Sequence, residues 1–359
     1  MTSVIDQLLD LARWAPSGDN TQPWRFEVID ESHLVIHGAD TRDHCVYDLD
    51  GRPSQMSLGA LIETLAIAAS GFGLRADIAR RDGLADTRPT FDVYLTADAA
   101  VVPSALRVAI PVRSVQRRPF RTRQLSGDEK TQLETALAPG YRLRWIEGWV
   151  PKWQAALLMF NNAELRLTMP EAYRVHRDII HWNRRFSADR VPDQALGADA
   201  LTLRLTRWVM HDWERVRFFN RWLAGTWLPR LQMDLLPGLA CGAHFVLLRD
   251  RAPNTIDDYV EAGRMVQRLW LSATLLGLQH QPELTPLIFS RYVRDGLVFS
   301  QSATAMALAT RLARQTLAVV GPDLSHAVWI GRVGEARFAA SRSLRRARDE
   351  LTLPTQPVD

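Results

Sequence analysis

The chain is poor in cysteine: Cys45 and Cys241 are the only two among its 359 residues. A disulfide framework is thereby excluded, and a reducing, cytoplasmic setting is the expectation. Lysine is as scarce, with Lys130 and Lys152 alone, so nearly all positive charge is arginine. Arginine meets phosphate through a planar fork, and anion sites are to be sought among arginines. No apolar run approaches the length of a membrane span, and the acidic start (Asp6, Asp10) is unlike an export leader. Walker and Rossmann glycine patterns and the G-x-S-x-G elbow are missing. The arginines are dispersed rather than gathered on an aromatic stripe, so nucleic acid is not an expected partner; nor, without a span, is a membrane. His176 and His181 stand five apart, off the i, i+4 spacing of a helical metal pair. They read as surface groups, and no metal is expected. His44 beside Cys45 has no placed third partner, which argues against a cysteine nucleophile. With 47% hydrophobic and 23% charged residues and a net charge of +4, the chain reads as globular with a sizeable core.

What is present is concentrated near the N-terminus. Val4, Ile5, Leu8, Leu9 and Ala12 recur at helical spacing behind Ser3 and Asp6, a capping pair. Pro16 does not fit a helix interior, and Phe26–Ile29 alternates as a strand does. Between them runs Ala15-Pro16-Ser17-Gly18-Asp19-Asn20-Thr21-Gln22-Pro23-Trp24-Arg25-Phe26. Ser17, Asn20 and Gln22 offer donors and acceptors without net charge, which suits the edge of a planar heterocycle. An Asx-rich turn locked by prolines is the alternative reading.

A second feature is repetition. The apolar stretch from Gly59 to Leu74 and that from Gly263 to Leu278 share one layout, and Gly73 and Gly277 each follow their first glycine at the same distance. Leu65 aligns with Leu269, Ile67 with Leu271 and Ala69 with Ala273. Glycine past a helix end supplies the left-handed cap, so both copies predict a buried helix closed by glycine. Strand-like segments follow each copy, at Thr90–Leu95 and Ala327–Gly334. Ala243–Leu248 precedes the second. The shared register favours a duplication.

These residues resemble the nitroreductase superfamily. A-P-S-x-x-N-x-Q-P-W-x-F is that family's flavin-contacting loop, and every fixed position of it is present. The repeated helix resembles the family's long core helix, G-x-x-x-Q-x-x-L-L-A-A-x-x-L-G-L. Family members are homodimers with FMN at the subunit interface, so two such helices in one chain resemble the fused-dimer, Acg-type branch. The resemblance implies a nitroreductase-like α+β fold (three α/β layers) with two fused halves, residues 1–105 and 106–359, as a monomeric pseudo-dimer.

Site residues follow from the same resemblance. Arg113, Ser114 and Arg117 resemble the family's phosphate clamp, although Val112 stands where a first arginine is usual. Gln281, Pro282 and Glu283 fall in the segment that runs beside the flavin ring. Arg342 falls in the basic tail, where Leu344-Arg345 replaces the usual Arg-Pro. Ser17, Asn20 and Gln22 would hold the ring, and Arg113, Ser114, Arg117 and Arg342 the phosphate, in one complete site. No catalytic acid or base is assigned. The implied activity is NAD(P)H-dependent, two-electron reduction of a small electron-poor acceptor by an FMN oxidoreductase. A flavoprotein that sequesters FMN, or works only with a partner enzyme, is the second reading.

From about 145 to 239 the chain departs from a minimal family member and carries eight tryptophans, from Trp145 to Trp227. Leu201, Leu205, Trp208, Val209, Val216, Phe219 and Leu223 follow helical spacing. A helical layer over the sheet and one cofactor face is expected, with most of its aromatics in the core and the remainder serving as a lid.

Overall fold

Two four-stranded antiparallel sheets are built from separate stretches of the chain in one and the same order. The computed structural model describes residues 3–223 and 225–354. Helix α1 (Val4–Ala12) starts at the Ser3/Asp6 capping box and buries Ile5, Leu8, Leu9 and Ala12. Then come β1 (Trp24–Val28), β2 (His33–Gly38), α2 (Arg52–Ser70), β3 (Leu74–Arg80) and β4 (Thr90–Ala97). The later chain runs through α3 (Gly127–Thr135) and β5 (Tyr141–Ile146). Helices α4 (Trp149–Thr168), α5 (Pro170–Ile179), α6 (Ala200–Val209) and α7 (Trp213–Trp222) are inserted next. It resumes with β6 (Ala243–Arg249), α8 (Ile256–Leu275), β7 (Leu278–Pro282), α9 (Thr285–Arg294), α10 (Ala303–Val320) and β8 (Ala327–Glu335). The sheets run β1-β2-β4-β3 and β5-β6-β8-β7. Helix α3, like α1, begins at a capping box, here Ser126 and Glu129. The repeated unit is therefore helix, two strands, core helix and two strands, longer than the glycine register alone reveals.

The two core helices cross at their glycines. A methyl group on Gly59 would overlap the Val260 carbonyl, and one on Gly263 would overlap that of Met56. Each glycine therefore meets the residue three before its counterpart. Polar contacts reciprocate in the same way: Arg268 donates to Glu63 (2.5 Å) and Gln267 to Thr64 (2.8 Å). Such reciprocity is the mark of an isologous interface. Gly73 and Gly277 both take positive φ, 67° and 72°, and close the helices as expected.

The tail does not stay with the second sheet. Leu353 N–H donates to Phe26 O (2.7 Å), and Arg346 N–H to the Gln22 side chain (2.9 Å), so residues 345–353 lie against β1 and its preceding loop.

The insert corrects one expectation. The helical spacing from Leu201 to Leu223 divides between two helices, the chain turning between Val209 and Trp213, where Asp212 caps α7. Its tryptophans are not buried core: Trp149, Trp153, Trp208, Trp222 and Trp227 are exposed, and Trp145, Trp182 and Trp213 half-buried, although Phe160 and Tyr173 are buried. Helical spacing reports a shared face, and it is silent on whether that face looks inward.

Candidate functional site

Between the loops and core helix of the first half, the second sheet and the insert lies a cavity of about 320 Å³. Its wall draws on the 16–21 loop, α2 (Met56, Ser57, Ala60), the 113–117 segment, α8 (Val266, Trp270), Gln281–Pro282 and the tail (Arg342, Ser343, Arg345). The insert adds Arg166, His176, Val191 and Ala195. Ser17, Asn20, Arg113, Ser114, Arg117, Gln281, Pro282 and Arg342 are thus brought together. Gln22 and Glu283 are not on the wall.

The N-terminal loop owes its shape to backbone torsions that ordinary residues seldom adopt. Asp19, Asn20 and Gln22 all have positive φ, at 51°, 65° and 50°. Strain of this kind persists only where surrounding bonds fix it. The bonds here are plain: Ser17 Oγ accepts from Gln22 N–H (2.9 Å), and Gln22 Nε2 donates to Ala188 O (2.9 Å). Asn20 Nδ2 donates to Ala188 O (3.1 Å), and Arg345 donates to Asn20 Oδ1 (2.9 Å). The two amides therefore tie the loop to the insert and the tail, and their polar atoms are spent on protein.

One pole of the cavity is cationic. Arg113 is buried, donates to Trp14 O (3.0 Å), lies 4.5 Å over the ring of Trp270, and leaves its Nε unpartnered. Arg342 donates to Pro111 O (2.9 Å), and Arg345 to Ala15 O (2.8 Å). Among the described residues no carboxylate reaches ion-pair distance of Arg113, Arg117, Arg342 or Arg345. Burial, with Arg345 and Arg342 nearby, pushes Arg113 well below the usual arginine range. Burial and Arg342 push Arg345 down to about 9. Uncompensated buried charge is costly, so the arrangement fits an anion. The 113–117 segment is held by a bridge from Val115 to His280 on β7.

The other pole is mixed. Burial raises the Asp19 carboxyl, against the pull of Arg117 and Arg166. Burial lowers Arg117 to about 10, and Arg117 donates to Ala195 O (3.1 Å). Tyr47 O–H lies 2.9 Å from His176 Nε2. Burial, with Arg166, pushes His176 down to about 3, so its imidazole is neutral where it meets that hydroxyl. The surface reading of His176 is thereby corrected: α5 turns it inward onto Tyr47. Cys45 also lines the wall, and burial pushes its thiol up to about 12, which keeps it an unreactive thiol.

Beneath the wall, Trp329 Nε1 donates to His280 Nε2 (3.1 Å), and His280 Nδ1 donates to Arg332 O (3.1 Å). Gln281 donates to Pro282 O, and its Oε1 is buried without a partner. Glu283 turns away: its carboxylate meets His244 Nδ1 (2.8 Å), and its N–H donates to Ile330 O. Among the described residues no cluster suited to a metal ion occurs.

Arg345, Asp19, Tyr47, His176, Arg166, Trp270 and Trp329 are wall residues that the sequence reading left unassigned. Arg345, three residues beyond Arg342 in an extended tail, carried the one readable signal.

The nitroreductase family model matches residues 2–61, from α1 through the strained loop into α2. The chain is similar to the acg protein of Mycobacterium tuberculosis, whose name proposes an NAD(P)H nitroreductase. The two are 26% identical over 318 residues, covering 86% of this chain and 88% of that one. Among solved structures it is similar to the FMN-dependent nitroreductase NfnB of Mycobacterium smegmatis in complex with NADPH. Identity there is 15% and the TM-score 0.35, over 69% of this chain and 96% of the other. A nitroreductase-like family protein of Bacillus cereus gives 13% and 0.33, over 70% and 96%. In its loop and first core helix the chain is similar to the nitroreductase family, and it shares an acg-like layout along most of its length.

Proposed function

We propose that the cavity binds one FMN per chain and that the protein reduces a small electron-poor acceptor with electrons from NAD(P)H. The observation that carries this reading is the acid-free cluster of Arg113, Arg342 and Arg345 at one end of a cavity shared by both halves of the chain. A dianionic phosphate supplies the missing negative charge through charge-assisted bonds. The unpartnered Oε1 of Gln281 offers an acceptor for a ring N–H, and the unpartnered Nε of Arg113 a donor. Ser17, Asn20 and Gln22 act by fixing the wall. Ser114 completes the clamp, Arg117 serves the mixed pole beside Asp19 rather than the phosphate, and Glu283 orients Pro282 from behind.

Bound FMN would supply two-electron hydride chemistry, and the protein position, charge and exclusion of water. Tyr47 and His176 give the acceptor's end a neutral, hydrogen-bonding wall beside Ile288. The reciprocal contacts of α2 and α8 support a fused pseudo-dimer of halves 1–105 and 106–359, the tail crossing back onto the first. We propose that it works as a monomer.

A second reading, sequestration of FMN, is favoured by the bonds from Asn20 and Gln22 to Ala188, which bind the insert over the loop. A visible spectrum of the purified protein, followed by anaerobic NADPH or NADH, separates the two. Bleaching at turnover rates supports the oxidoreductase, and reduction by dithionite alone supports sequestration. A colourless protein that takes up no added FMN refutes both.

A further inference from the structure

We propose that helices α6 and α7 form a docking surface for anionic lipid bilayers. Each helix buries one residue fully, Thr202 in α6 and Val216 in α7. What they turn outward is apolar. Leu201, Leu205 and Trp208 share a face at i, i+4 and i+7, and are 75%, 44% and 53% exposed. Phe218 and Trp222, four apart on α7, are 54% and 66% exposed. Trp227 follows at 61%. Edge-to-face packing of Trp208 on Phe219 (5.6 Å) joins the two helices. A soluble surface rarely gathers so many large apolar side chains without a partner.

The charge beside them decides the partner. Arg204 and Arg207 flank the α6 stripe, and Arg215 and Arg221 flank the α7 stripe. Arg215 lies 4.9 Å over Trp208, and Arg221 5.2 Å over Trp222. Among the described residues none of the four has a carboxylate within ion-pair distance. Arg204 and Arg207 also border, with Arg118 and facing Asp193 and Asp199, an open surface cavity of about 550 Å³. Arginines interleaved with tryptophan and leucine on an exposed helical face are the pattern of an interfacial helix, with headgroup phosphates taking the charge. A second copy packed isologously on this face would oppose arginine to arginine. The expectation that no membrane is involved came from the missing span. Among the described residues no helix is long and apolar enough to cross a membrane, and surface docking needs none.

The test is flotation of the full chain with vesicles of phosphatidylcholine and phosphatidylglycerol in equal parts, against vesicles of phosphatidylcholine alone. The protein is expected to float with the anionic vesicles and to be released by salt. Arg204→Gln with Arg207→Gln should lower partition roughly 25-fold, about fivefold for each charge. Trp208→Ser with Trp222→Ser should lower it as clearly, with the circular-dichroism spectrum kept, because the changed side chains are exposed. Failure to float with anionic vesicles overturns the proposal, as does equal binding to phosphatidylcholine. So does a dimer in vesicle-free sedimentation that Trp208→Ser dissolves, since the face would then belong to a second copy.

Discussion

Arg113→Met tests the anion pole directly. The guanidinium is 4% exposed, holds one bond to Trp14 O at 3.0 Å and faces cations rather than acids. Methionine keeps the aliphatic bulk over Trp270 and removes the charge. A hydrogen bond to a charged group is worth about 1.5–3 kcal/mol, so FMN affinity should fall by roughly 10- to 150-fold. Riboflavin has the same ring and no phosphate, so its affinity should be unchanged. Titration of the flavin-free variant with each ligand, followed by flavin fluorescence, measures both. An equal loss for FMN and riboflavin would place Arg113 at the ring. Unchanged FMN affinity would refute the phosphate assignment altogether.

Gly263→Ala sets helix propensity against packing. Alanine gains up to about 1 kcal/mol in a helix, but its methyl group meets the Met56 backbone carbonyl, which cannot rotate away. A net loss of at least about 2 kcal/mol is expected in urea unfolding, and an unchanged midpoint would show that the helices do not cross there. His244 should make stability fall with alkaline pH. Burial opposes its charge, yet Glu283 and Cys241 raise it from 6.5 to about 10. Its contribution is complete below pH 6.5 and lost as pH rises through about 10. His244→Phe should flatten that limb, and an identical slope in the variant would exclude His244 as its source. Cys45, with its thiol pushed up to about 12, should resist alkylation at neutral pH in the folded protein, as peptide mapping would record.

The sequence made the repeated unit legible because glycine positions are set by backbone geometry. Gly59 and Gly263 are required by a close crossing, Gly73 and Gly277 by positive φ. The loop was legible as a motif, but the role of its amides was not. That Asn20 and Gln22 reach Ala188, more than 160 residues away, is a tertiary fact that no local pattern encodes. The cationic pole was half legible: Arg113 and Arg342 stood in recognisable segments, whereas Arg345 needed the tail's return along β1. His176 misled because a histidine in a charged stretch normally faces water, and only its pairing with Tyr47 shows the inward turn. The tryptophans of the insert misled for the opposite reason. Hydrophobicity predicts burial on average, yet five of these side chains are exposed and three only half-buried.

The reciprocal crossing of α2 and α8 has a consequence for how the protein behaves on dilution. Where two separate chains build a site, its population falls as they dissociate. Here both partners of the crossing are joined by one backbone, and they meet at an effective concentration of the order of millimolar whatever the bulk concentration. The cavity they enclose is therefore as complete at nanomolar protein as in a concentrated solution. The equivalent positions on the two helices also carry different chemistry: Glu63 pairs with Arg264 and Arg268, while Gln267 donates to Thr64.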